Sequence, residues 1–238
     1  MSISLLIATS FSIGFFVESI VGFGGGLIAY AILGFFIGLK EMVIAGLYIG
    51  TCSSLYIIFT DYKSWDKKTF FNAFPLSLIG TVAGVFIFSR LSVEALYIGF
   101  GSVLLTLSIK LLFFDKIILP RIFRDNLVLI GGMAQGAFGT GGPFWASALS
   151  GSFKTKSNLR TTMASFFVFF NLVRVVQLWL EEEIKLDFFY NIWWTIIPVF
   201  VAIKLGHLIH VRISEKFFKN LIAAVTFLAG LKFLSKCL

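Results

Sequence analysis

A cluster of glycines, Val21-Gly22-Phe23-Gly24-Gly25-Gly26, interrupts the first long apolar run of this chain while the sequence is still hydrophobic on both sides. An echo, Phe138-Gly139-Thr140-Gly141-Gly142-Pro143, stands at the matching place in the second half. Apolar runs of roughly 20 residues recur along the chain, the length that crosses a bilayer as a helix. Charged residues make up 13% of the sequence, against about 25% in soluble domains. Mean hydropathy is +0.95. The expected fold class is therefore all-α, a polytopic membrane helical bundle. In lipid every backbone N–H and C=O needs a partner, so a broken helix at membrane depth survives only inside protein or along a cavity. Two breaks at equivalent places are the sequence mark of a transporter's binding site.

Charge and motifs exclude other classes. The formal charge is +8, but Lys and Arg sit in short gaps between apolar runs, where cytoplasmic loops collect them. Nucleic acid is not an expected partner; a lipid bilayer is. Cys52 lies in an apolar run and Cys237 at the end, which makes neither a disulfide framework nor a metal site. The start, Met1-Ser2-Ile3-Ser4-Leu5, has no basic region or small-residue cleavage site and is expected to begin a first membrane helix. No His-Glu-x-x-His, Gly-x-Ser-x-Gly or Walker lysine is present, so no catalytic residue, metal or cofactor is expected.

Taken in order, apolar segments run over residues 3–20, 26–38, 42–60, 70–88 and 93–114, then 126–138, 144–150, 161–180, 188–206 and 217–234. Laying Gly22 on Gly139 puts Gly24 on Gly141, Gly25 on Gly142 and Glu18 on Gln135. Pro75 then falls opposite Pro198, and Arg90-Leu91-Ser92 opposite Arg212-Ile213-Ser214. This is an internal duplication: a first transmembrane repeat over 1–114, a linker over 115–125 and a second repeat over 126–238. The basic segments around Lys67, Arg124, Lys154 and Arg212 are placed in the cytoplasm and the acidic 181–183 outside. The stretch of about 25 residues between the second and third basic segments would be roughly 38 Å long as one helix. Two half-length helices meeting at the glycines keep both ends inside. The repeats are then inverted, with broken or re-entrant helices at the glycines; a hairpin of two short full spans is the alternative.

The candidate binding residues follow from helix-end chemistry. A helix that starts after a glycine cluster aims free N–H groups and its positive dipole end at the break, and an anion is the natural occupant. Gly22, Gly24, Gly25, Gly26, Gly139, Thr140, Gly141 and Gly142 are the candidates at the breaks; close helix packing is the competing reading. Glu18, deep in the first apolar run, is the candidate for proton coupling, or else a cap for free N–H groups. Its counterpart Gln135 cannot titrate. Asn171 and Arg174 lie one turn apart on one face and are candidates to bind the anion, although Arg174 could equally snorkel to the outer interface. Ser53 and Ser54 offer hydroxyl donors, or routine interhelical contacts.

At Gly22-Phe23-Gly24-Gly25-Gly26 and Gly139-Thr140-Gly141-Gly142 the chain resembles the TauE/SafE family of anion exporters over nearly its whole length. Pro75, Gly80, Gly84 and Arg90-Leu91-Ser92, weakly repeated from Pro198, add to the resemblance. It departs from the pattern in lacking a proline between Leu27 and Leu33 and in carrying Pro143 where a third glycine would stand. The resemblance implies secondary transport of small sulfur-containing or organic anions, such as sulfite or sulfonates, across the bacterial inner membrane. The anion is expected at mid-membrane between the broken helices, with alternating access by rocking of the halves. A passive anion channel and a non-transporting membrane partner of a sulfur-metabolism complex are the alternatives. A homo-oligomer is left open.

Overall fold

The computed structural model describes residues 2–21, 24–113, 120–180, 182, 186–209 and 215–235. Every described element is helical, so the all-α class holds. In chain order they are α1 (Ile3–Val21), α2 (Gly25–Leu33), α3 (Leu39–Asp61), α4 (Lys67–Arg90), α5 (Val93–Phe113) and α6 (Arg121–Phe138). Then follow α7 (Gly142–Leu149), α8 (Lys156–Leu180), α9 (Leu186–Ile192), α10 (Ile196–Ile209) and α11 (Glu215–Ser235). Among the described residues four stretches are long and apolar enough to cross a membrane: Leu39–Ser64, Lys67–Arg90, Ser157–Leu180 and Asp187–Gly206. Shorter apolar helices cover Ile3–Ser19, Val93–Ile109 and Thr226–Ser235.

Local chemistry sets several helix ends. Asp66 opens α4 as an N-cap, accepting the Thr69 N–H at 3.1 Å and the Thr69 hydroxyl at 2.8 Å. Its own N–H donates to Thr162 Oγ1 of α8 at 3.0 Å, so the cap also fastens two helices together. The hydrogen bonds from Thr69 hold the Asp66 carboxyl below the usual range. Pro75 sits inside α4 without ending it, as membrane helices allow. The apolar run 188–206 is not one helix. A 3-10 turn at Trp193–Thr195 separates α9 from α10. Pro198 falls in the first turn of α10, the part of a helix that tolerates a missing N–H. The Trp193 carbonyl is turned to the Tyr48 hydroxyl of α3 at 3.0 Å.

The chain divides into two compact units, and each draws helices from both sequence halves. One comprises Met1–Ile49, Leu91–Lys116 and Leu186–Leu238; the other comprises Gly50–Arg90 and Ile117–Lys185. α6 begins at Arg121, inside the segment expected as a linker, while 114–119 lie outside the described residues.

In the first unit α1 packs on α2 and α10, and α5 packs along α11. The α1–α10 approach is close: a methyl at Gly206 would lie 2.6 Å from the Phe16 carbonyl oxygen. Ser108 of α5 and Thr226 of α11 join their hydroxyls at 2.8 Å. Tyr30 of α2 is buried against Phe11 and Phe100 with edge-on ring geometry.

In the second unit α4 lies along α6, and α8 packs on α4. Small residues at four-residue spacing let the α4 and α6 backbones touch. A methyl at Gly84 would lie 2.2 Å from the Met133 carbonyl oxygen, and one at Gly136 2.1 Å from that of Thr81. Beside this seam Phe70, Trp145, Phe166 and Phe170 form a buried aromatic core, with Trp145 stacked on Phe166 at 5.0 Å.

α1 thus lies on α10 in the first unit, and α6 on α4 in the second.

Candidate functional site

The first break lies between α1 and α2. Gly24, the residue before α2, has φ 95°, in the left-handed region that favours glycine. The N–H of Gly25, the first residue of α2, donates to Glu18 Oε2 at 2.7 Å. That N–H is one of the donors a helix start leaves without an internal partner, and a carboxylate there also meets the positive end of the helix. The backbones touch at the same place. A methyl on Gly14 would lie 2.1 Å from the Gly25 carbonyl oxygen, and one on Gly25 2.7 Å from that of Gly14. Gly26 has nothing within 4 Å of where its Cβ would be. Gly22 lies outside the described residues.

The second break, in the second unit, repeats this device with a neutral side chain. Gly139 closes α6 at φ 72°, its N–H donating to the Gln135 carbonyl at 2.9 Å. The Thr140 N–H reaches the Ala134 carbonyl at 3.2 Å. Together these form a left-handed cap. The Gly141 N–H donates to Gln135 Oε1 at 3.1 Å. A methyl on Gly141 would lie 2.4 Å from the Gly131 carbonyl oxygen and 2.7 Å from Gln135 Cβ. A methyl on Gly142 would meet the Phe167 ring first, at 2.6 Å.

The packing pairs Gly14, Glu18 and Gly25 with Gly131, Gln135 and Gly141. The helix bounds follow the register laid from the glycine clusters, with α1 and α6 ending at Val21 and Phe138 and α2 and α7 starting at Gly25 and Gly142. Only the bonded N–H differs, Gly25 lying seven residues after Glu18 and Gly141 six after Gln135. Gly14 and Gly131 had gone unnoticed in the sequence. The signal was there, since each stands four residues before the side chain that closes the break, on the same helix face.

Gln135 links the second break to α8. Its Nε2 donates to Asn171 Oδ1 at 2.8 Å, and Arg174 Nη1 approaches the same oxygen at 3.4 Å. Arg174 Nε donates to the Gly136 carbonyl at 2.9 Å. The Arg174 side chain has 0% exposure. It does not snorkel; its cation is held beside the broken end of α6. Gln135, Thr140 and Asn171 are buried with it. From α3, Gly50 faces Asn171, whose Nδ2 would lie 3.8 Å from a methyl there. Ser53, one turn on, is buried with its hydroxyl making no hydrogen bond among the described residues, and Ser54 is also buried.

Other hydroxyls of α8 are engaged elsewhere. Ser157 and Thr161 donate to Asp61 at the end of α3, Thr161 at 3.3 Å, and Ser64 donates to the same carboxylate at 2.7 Å. Asp61 is thus the hub of a polar clasp at the end of α3. Among the described residues no group of three or more His, Cys, Asp or Glu side chains is placed to hold a metal. His210, Arg212, Glu181, Glu183, Lys116 and Cys237 lie outside the described residues.

Long apolar helices interrupted at two glycine breaks, one with a buried arginine beside it, define a multi-pass membrane protein. The chain belongs to the sulfite exporter TauE/SafE family, whose model matches residues 6–233. Membership implies a membrane exporter of sulfite or a related anion. No curated protein and no solved structure matches the chain.

Proposed function

We propose that this protein is a secondary transporter that moves small sulfur oxyanions, sulfite foremost, across the cytoplasmic membrane of a bacterial cell. The observation that carries the reading is the second break, where a buried guanidinium stands beside a glycine-rich helix start. The Gly139, Thr140 and Gly141 N–H groups are already given to α6, so the Arg174 charge and the positive end of α7 are what an oxyanion matches and a cation does not. Asn171, Thr140 and Ser53 supply further polar groups in the same unit. Gly139 takes the left-handed φ that closes α6, and Gly141 lets the start of α7 touch the α6 backbone beside Arg174.

Glu18 is the proton-linked residue in this account. The two breaks use a titratable acid and its neutral amide analogue for the same backbone contact. Proton binding at Glu18 would weaken the acceptor that holds the Gly25 N–H, whereas Gln135 is fixed at every pH. Coupling is therefore asymmetric, with one break responsive and the other permanent.

Counterflow tests the class. Proteoliposomes preloaded with unlabelled sulfite should accumulate labelled sulfite transiently above its equilibrium level. Simple equilibration without overshoot would make the protein a passive channel. No flux with sulfite, thiosulfate or a sulfonate would overturn the transport reading.

A further inference from the structure

The polar side chains beside the second break fix one another's direction. The Gly141 N–H can only donate, so Gln135 turns its Oε1 to it at 3.1 Å and its Nε2 away. That Nε2 donates to Asn171 Oδ1 at 2.8 Å, and Arg174 Nη1 comes to the same oxygen at 3.4 Å. An amide side chain has one acceptor end and one donor end. With its oxygen occupied, Asn171 presents Nδ2 the other way, toward α3. Gln135 is thus a positioning residue, acting through Asn171.

On α3 the Asn171 amide faces a missing side chain. Its Nδ2 stands 3.8 Å from where a methyl on Gly50 would lie, and no other helix comes within 4 Å of that point among the described residues. Gly50 lies in the interior of α3, where glycine costs helix stability relative to alanine. Packing does not demand it, unlike Gly84 or Gly136, where a methyl would run into a neighbouring backbone. One turn further along α3, Ser53 is buried at 0% exposure, and its hydroxyl has no hydrogen-bond partner among the described residues. Other buried helix serines bond the carbonyl one turn back, as Ser108 does to Leu104 and Ser165 to Thr161. A buried hydroxyl left without a partner costs stability. A helix glycine that packing does not require, a donor aimed at it and an unmatched hydroxyl one turn away therefore coincide.

We propose that Gly50 is the specificity-determining residue of the second break. An oxygen of the transported anion seats against the bare α3 backbone at this position, taking the Asn171 Nδ2 donor and the Ser53 hydroxyl, with the Arg174 charge beside it. This rests on the transport reading above and adds what selects the cargo. The cargo is a compact oxyanion, limited in size by the space that a side chain at position 50 would fill.

The test is flux of labelled sulfite in proteoliposomes of the full chain, resolved into KM and maximal rate, with melting temperatures alongside. Thiosulfate or a sulfonate replaces sulfite if the parent carries that anion instead. Gly50→Ala should melt at or above the parental temperature and raise KM about tenfold, as for one lost hydrogen bond to a charged group. Ser53→Ala breaks no hydrogen bond among the described residues, so its melting temperature should hold or rise while its KM climbs by a similar factor. A merely structural role gives the reverse pattern, a lower melting temperature with KM unchanged. Either folded variant carrying the anion at the parental KM would overturn the proposal and leave the transport reading standing. A parent that carries none of the three anions would overturn that reading, and this proposal with it.

Discussion

Glu18 and Gly25 are joined across the first break by a 2.7 Å hydrogen bond from the Gly25 N–H to Oε2. Removing the acceptor leaves a buried donor at a helix start, which costs about 1–3 kcal/mol. Glu18→Ala should lower thermal stability accordingly. Glu18→Gln, which copies the Gln135 arrangement, should keep the fold to within about 1 kcal/mol. If Glu18 is proton-linked, Glu18→Gln should also flatten the pH dependence of transport. A full pH profile in the glutamine variant would remove Glu18 from the coupling step.

Adjacent glycines of the first break should respond in opposite ways. A methyl at Gly25 meets the Gly14 backbone and Glu18, whereas one at Gly26 meets nothing within 4 Å. Gly25→Ala should cost about 1–3 kcal/mol through overpacking. Gly26→Ala should leave stability within about 1 kcal/mol of the parent, on the stabilising side. Melting temperatures of the purified variants decide this. In the second break, Gly141→Ala should resemble Gly25→Ala, while Gly142→Ala should be milder because the Phe167 ring can turn aside.

The α4 cap gives a pH prediction. Asp66 has its carboxyl held below the usual range by hydrogen bonds from Thr69. A lowered folded-state pKa adds stability above the unfolded value, about 3.9, and that increment is lost as pH falls through the lower folded value. Asp66→Ala should cost about 1 kcal/mol near neutrality. The gap between parent and variant in melting temperature should close as pH drops below about 4. A gap that persists at pH 2 would show that ionisation of Asp66 does not carry the cap.

Much of this was legible because membrane helices obey length and hydropathy. The expected segments 42–60, 70–88 and 161–180 are the cores of α3, α4 and α8. Each break was visible as glycine inside apolar sequence, and the polar residue that closes it stood out by its cost in lipid. What stayed hidden depends on partners distant in sequence. The 3-10 turn inside 188–206 reflects a carbonyl drawn to Tyr48, and hydropathy carries no trace of that. The pairing of α4 with α6 needs Gly80, Gly84, Gly132 and Gly136 to be read together across some fifty positions. Arg174 illustrates the limit well, since its distance from the end of α8 suited an interface, and only packing shows it buried on the Gly136 carbonyl.

The central claim, that an anion is handled at the second break, rests most directly on Arg174. The measurement is initial flux of labelled sulfite in proteoliposomes for the parent, Arg174→Lys and Arg174→Gln, with folding checked by melting temperature. Losing a buried charge-assisted contact to the anion should slow flux by about tenfold or more in Arg174→Gln. Arg174→Lys should fall between, because it keeps the charge and loses the planar fork. Folded Arg174→Gln protein that carries sulfite at the parental rate would contradict the account.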